Sequence, residues 1–173
     1  MRDSWGEMVN SNPDNFAQPK MIQLVFTVDQ FFKRSRSGAT WGTVYFQIGN
    51  DEFFPERGWT DLVSAFLRIW LQALISIADG SAKRVNVPFL DGPLAVFLSS
   101  HDKNLVELCF VHREATKYSA IVTTKELLHN AVAVAEEFIA VCGQRGWADG
   151  DTEALAALTR QGARTLSRPS VKN

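Results

Sequence analysis

Side chains that carry covalent or metal chemistry are scarce in this sequence. Its 173 residues include two cysteines and three histidines. Cys109 and Cys142 fall within apolar patterns, one in an expected strand and one in an expected helix. A disulfide framework is therefore not expected, and a reducing cytoplasm is the default compartment. His101, His112 and His129 fall on a turn, a strand end and the polar face of a helix, with no C-x-x-C or H-x-x-x-H spacing to converge ligands on a metal. Neither G-x-G-x-x-G nor G-x-x-x-x-G-K-[ST] occurs, so no phosphate cradle and no cofactor is implied. Long apolar runs are also missing. The most apolar stretch, Leu62 to Ala78, is interrupted by Ser64, Arg68, Gln72 and Ser76, too polar for a membrane span of about 20 residues. Met1-Arg2-Asp3-Ser4-Trp5 has no apolar h-region, which speaks for a cytoplasmic rather than a secreted protein.

What is present can build a core, since 46% of residues are hydrophobic and 21% charged. The length suits a single domain over 1–173, with 1–19 as an irregular lead-in and 165–173 as a frayed tail. Net charge is −1 but unevenly spread. Residues 1–40 carry five basic and four acidic groups, residues 41–163 ten and fifteen, and the tail adds Arg164, Arg168 and Lys172. A mildly acidic body does not attract nucleic acid and favours a basic partner.

Hydrophobic periodicity gives the order of elements. Ile22, Leu24 and Phe26 alternate with polar or opposite-face residues, and Val44, Phe46 and Ile48 line one face of a second strand over 41–48. The two form a hairpin with a wide basic tip, Lys33 to Gly38. A helix is expected to start with Thr60 as N-cap and Asp61 in its first turn, and to end at Asp79-Gly80. Four strands follow over 83–89, 94–99, 104–112 and 116–122, joined by short turns that imply an antiparallel meander. The 104–112 strand is apolar on both faces, which places it centrally. Thr123 and Glu126 read as a capping box opening a second helix, whose stripe of Leu128, Ala131, Ala135, Phe138 and Cys142 should face the sheet. Asp151 caps a shorter third helix. The sum is an α+β fold: a largely antiparallel sheet of about six strands, two long helices and one short C-terminal helix.

For catalysis, His112 with Glu114 and nearby Asp91, or His101 with Asp102, are the pairs that would have to act, although polar neighbours at hairpin turns are normally just solvated. Lys33, Arg34 and Arg36, preceded by Phe31 and Phe32, could touch a phosphate backbone, but a charged tip is more commonly only a soluble loop. The segment Asp51-Glu52-Phe53-Phe54-Pro55-Glu56-Arg57-Gly58-Trp59-Thr60-Asp61 is more informative. It sets four carboxylates among three large aromatics. Phe54 and Trp59 can anchor the loop in the core, while Asp51, Glu52, Phe53, Glu56 and Asp61 present an aromatic contact within an acidic rim, as protein-binding patches do.

Phe54-Pro55-Glu56, Trp59, Asp61, Trp70-Leu71 and Leu90-Asp91-Gly92-Pro93 together resemble a pattern in immunity proteins of bacterial polymorphic toxins, including those of contact-dependent growth inhibition systems. The resemblance covers about residues 41–98, roughly a third of the chain. It implies a cytoplasmic, non-enzymatic protein that binds and blocks one cognate toxin domain, often a nuclease, as a monomer or homodimer. Two other readings stay open on the residues alone: an adaptor or secretion-chaperone-like dimer with a broad groove, and a small enzyme with an acid–base site around His112, Glu114 and Asp91.

Overall fold

The computed structural model describes residues 21–28, 32–102 and 104–167. The expected lead-in 1–19, Phe31, and residues 168–173 of the expected tail lie outside these, whereas Thr165 to Ser167 of that tail are helical. The chain is α+β, but its strands form two antiparallel sheets rather than one. The first contains β1 (Ile22–Thr27), β2 (Lys33–Arg34), β3 (Thr40–Ile48), β4 (Glu52–Phe54) and β5 (Thr60–Leu62). The second is the meander β6 (Arg84–Pro88), β7 (Leu94–Ser100), β8 (Leu105–His112) and β9 (Ala115–Thr123), in that order.

The register makes β3 the spine of the first sheet. Phe46 is opposite Leu24 of β1 and Phe54 of β4, Thr43 opposite Thr27 of β1 and Thr60 of β5, and Trp41 opposite Lys33 of β2 and Leu62 of β5. A strand residue has only two lateral neighbours, so β1 and β2 share one side of β3 and β4 and β5 the other. The expected hairpin of the first two long strands is present, with Ile22, Leu24 and Phe26 buried against the core.

The described residues also form three helices: α1 (Val63–Ala78), α2 (Thr124–Gln144) and α3 (Gly150–Ser167). α1 packs on β3 and β5 of the first sheet, on β6 and β7 of the second, and on both other helices. Its buried set, from Val63 and Phe66 through Trp70 and Leu74 to Ile77, spans more than half its circumference, as a helix enclosed on several sides requires. The core is continuous across the two sheets through ring contacts. Phe46 meets Trp70 at 4.9 Å and Phe110 at 5.3 Å between centroids, and Phe66 meets Phe89 at 4.6 Å. The edge-to-face geometry of the two Phe46 pairs adds to the area buried.

Helix boundaries correct the expectation in two places. Thr60 and Asp61 belong to β5, so neither caps α1; the cap residue is Leu62, whose side chain makes no capping bond. Pairing with β3 outcompetes the local capping signal. The third helix is not short, running 18 residues, and Asp151 lies inside its first turn. Asp149 caps it: its Oδ1 accepts from the Thr152 backbone N–H at 3.0 Å and from the Thr152 hydroxyl at 2.9 Å. At α2, by contrast, Thr123 accepts from the Glu126 N–H at 3.3 Å as expected. α3 closes on α2 at Gly162, where an added Cβ would lie 2.9 Å from a Val132 methyl.

Donation by the Thr152 N–H holds the Asp149 carboxyl below the usual aspartate range, helped by the Thr152 hydroxyl and the Arg34 charge against some desolvation. A carboxylate depressed in the folded state adds stability above its unfolded pKa and loses it as pH falls through the folded value. Asp149→Ala should therefore cost about 1–2 kcal/mol at neutral pH, the usual effect of losing a helix cap. The gap to the parent protein should close as pH drops below the carboxylate range. Urea melts at several pH values check both, and a pH-independent gap would count against the cap.

Candidate functional site

The acidic-aromatic segment begins at the hairpin between β3 and β4. Gly49, at φ +64°, turns the chain, and Ile48 faces Glu52 across the ladder. After Phe54 the strand leaves the ladder through a cis Phe54–Pro55 bond and rejoins β3 at Trp59, whose carbonyl accepts from the Val44 N–H at 2.8 Å. Gly58, at φ +82°, allows the return. Residues 55–58 thus form a loop thrown out from the sheet, with Glu56, Arg57 and Gly58 exposed.

Strand alternation sorts the aromatics. Phe54 is buried, at 5.1 Å from the Phe110 ring. Trp59 packs partly buried against the core, edge-on to Phe89 at 6.4 Å. Phe53 faces the other way and is half-buried, edge-on to Tyr45 at 5.8 Å, with the Arg57 guanidinium 5.7 Å from its centroid. Its chain neighbours Asp51, Glu52 and Glu56 are exposed. Asp51, Glu52, Phe53 and Glu56 are thus all at least partly exposed along this hairpin and loop, with Glu52 on the strand face opposite Phe53.

Asp61 is not among them. It is completely buried. Its Oδ1 accepts from the Leu62 N–H at 2.6 Å, and its Oδ2 accepts from the Leu90 N–H at 2.9 Å and the Asp91 N–H at 3.4 Å. It cannot rim a surface; it bolts the end of β5 to the β6–β7 turn and so joins the two sheets. The Leu90-Asp91-Gly92-Pro93 turn meets the same place from the other side, where the Trp59 ring lies 3.7 Å from the position of a Cβ on Gly92. Of the residues carrying the resemblance, Trp59, Asp61, Leu90, Asp91 and Gly92 therefore meet in one structural junction.

The other candidates divide similarly. His112, Glu114 and Asp91 lie at one end of the second sheet, where the Arg113 N–H donates to the Pro93 carbonyl at 3.0 Å. Arg113 and Glu114 occupy the left-handed region that a tight hairpin requires, at φ 48° and 68°. Among the described residues no hydrogen bond joins His112, Glu114 and Asp91, and no group of three or more His, Cys, Asp or Glu side chains could hold a metal ion. Asp102 is engaged by the Asn104 and Leu105 N–H groups at 2.8 and 3.0 Å, so it shapes its turn beside exposed His101. Arg34 is not a loose tip: it donates to the Trp147 carbonyl and to Asp149 Oδ2, both at 2.7 Å. Of the basic residues in that loop, Lys33 and Arg36 are exposed.

β8 is an inner strand of its sheet as expected, yet one of its two faces is only partly covered. Leu105, Glu107, Cys109 and Val111 are half-buried there, beside exposed Phe97 and Ile121. Cys109 is therefore not a core residue. Burial first, then the neighbouring Glu107 charge and hydrogen bond, push its thiol pKa up; desolvation raises buried Cys142 to about 11. Both stay protonated at neutral pH, and a thiol is a poor nucleophile.

Periodicity did not reveal a cleft of about 470 Å³ between α1, β6 and α3, bounded by Ile69, Gln72, Ala73, Val85 and Leu158. Arg68 lines it too and is paired with Asp151 at 2.7 Å. The polar stripe of α1 hinted at one wall; the approach of α3 that makes the other left no local signal. No described helix is long and apolar enough to cross a membrane. No family model, curated protein or solved structure matches this chain.

Proposed function

We propose that this protein acts by binding another protein, and that it is an immunity protein which neutralises a cognate toxin domain by direct contact in the cytoplasm. The observation that carries the binding surface is the succession, along the β3–β4 hairpin and the loop after it, of exposed Asp51, Glu52 and Glu56 with half-buried Phe53. An aromatic held by Tyr45 and Arg57 is preorganised for contact, and the neighbouring carboxylates favour a basic partner. The toxin assignment rests on the resemblance over residues 41–98. The protonated thiols speak against a cysteine nucleophile.

Rim charges act mainly on association rate, because their field reaches about 8 Å at physiological salt and they stay solvated in the complex. Glu52→Lys with Glu56→Lys should slow association with the basic partner, and the defect should shrink as salt is raised. Melting should stay within about 0.5 kcal/mol of the parent, as exposed charges contribute little to folding. The partner is obtained by pull-down with the product of the neighbouring gene, and co-expression should rescue growth from it. Equal stopped-flow rates for parent and variant at low and high salt would move the interface off this loop. Absence of any rescue would reject the immunity reading itself.

A further inference from the structure

Both sheets are open, so each must deal with strand edges whose unpaired N–H and C=O groups can recruit another strand. Three of the four edges carry a feature that hinders such pairing among the described residues. On β1, Leu24 donates its N–H to Asn130 Oδ1 at 2.7 Å and accepts from Asn130 Nδ2 at 3.2 Å, so an α2 side chain stands in for a neighbouring strand. The edge made by β4 and β5 is broken by the loop at 55–58, and Asp61 Oδ1 takes the Leu62 N–H. On β6, the Phe89 N–H bonds to the Leu94 carbonyl and the Lys83 carbonyl accepts from Ser100. The alternation then turns Arg84, Asn86 and Pro88 outward, and proline offers no N–H to a newcomer.

β9 carries a bulge at exposed Lys117 near its start, but among the described residues nothing blocks the rest of its edge. The Thr124 N–H bonds to the Asn104 carbonyl at 2.8 Å, so Val122, Ala120 and Tyr118 direct their backbone groups to β8 and Ser119, Ile121 and Thr123 direct theirs away from it. No described side chain is bonded to those outward groups. Ile121, at 43% exposure, is among the most exposed large apolar residues described. The straight part of the strand lies between the register shift around Lys117 and the start of α2 at Thr124, so its middle falls at Ala120 and Ile121.

We infer that β9 is a self-association edge, at which a second copy of this chain adds its own β9 antiparallel across a two-fold axis through Ile121. The outward series Ser119, Ile121, Thr123 is nearly symmetric about its centre. A two-fold there sets Ile121 against Ile121 of the second copy, and Ser119 against Thr123, pairings that antiparallel strands favour. Each outward N–H then meets an outward C=O, and the two meanders become one continuous sheet. The edge belongs to the second sheet and the acidic loop to the first, so the inference does not depend on the toxin-binding reading. A strand edge buries less than the roughly 1,600 Å² of a standard interface, so the dimer is weak and concentration-dependent.

Sedimentation velocity on the full chain, from about 1 µM to about 1 mM, tests this over the range in which weak interfaces fill. The mean mass should rise from monomer toward dimer. Ile121→Lys should remain monomeric throughout, with the melting temperature of the parent. Hydrogen exchange at the Ser119, Ile121 and Thr123 amides should slow as concentration rises, while that at Arg84 and Asn86 should not. A monomer at every concentration overturns the proposal, as does a dimer that Ile121→Lys leaves intact. Slow exchange at the three β9 amides in a monomeric sample overturns it too, because another part of the chain would then cover the edge.

Discussion

Asp61→Ala should lower stability by about 3–5 kcal/mol, with chemical denaturation as the measurement. The substitution removes the fully buried acceptor of the Leu62, Leu90 and Asp91 N–H groups. Each buried donor left without a partner costs about 1–3 kcal/mol, and bonds to a charged acceptor lie at the high end. Asp61→Asn should be milder, since one oxygen can still accept while the amide NH₂ must face a donor. Hydrogen exchange at the Leu90 amide should accelerate in both variants, because that bond ties the β6–β7 turn to β5. An Asp61→Ala protein that melts like the parent but binds its partner poorly would return this residue to the binding surface and undo the structural assignment.

Phe138→Ala should cost a similar amount, about 3–5 kcal/mol, through lost transfer energy and the cavity left behind. Phe138 is 1% exposed and sits edge-on to Phe26 at 5.6 Å and Phe32 at 6.0 Å. This trio fastens α2 to the first sheet. Gly42 permits the arrangement, because a Cβ there would fall 2.8 Å from the Phe32 ring. The cavity cannot relax easily with β-strand backbone on one side and helix on the other, so the upper half of the range is expected. Loss of less than 1 kcal/mol would mean that α2 is peripheral and that the core lies elsewhere.

The candidate site was legible only in part, for a physical reason visible at Asp61. Read along the chain, Asp61 is one more carboxylate beside Glu52 and Glu56. In space it differs completely, because it alone meets the backbone of a turn 29 residues away. Local pattern cannot distinguish an acid that water solvates from one that distant N–H groups solvate. Arg34 repeats the lesson: its tie to Asp149 spans 115 residues and removes it from the basic loop. Phe54 and Phe53 went the other way, since strand alternation by itself separates a buried ring from a half-exposed one.

The order and type of the long elements, the α+β class, the buried faces of β1, α1 and α2, and the Thr123 cap were all determined by the sequence alone. Each depends on periods of two or 3.6 residues, or on contacts within a turn, which a linear reading contains in full. Tertiary structure alone decided the division into two sheets, the capture of Thr60 and Asp61 by β3, the length of α3, and the partly covered face around Cys109. These depend on which strand finds which partner and on what packs above it. Such pairings are settled by the total surface buried and by backbone bonds between distant residues, and neither quantity is written in any local stretch of chain.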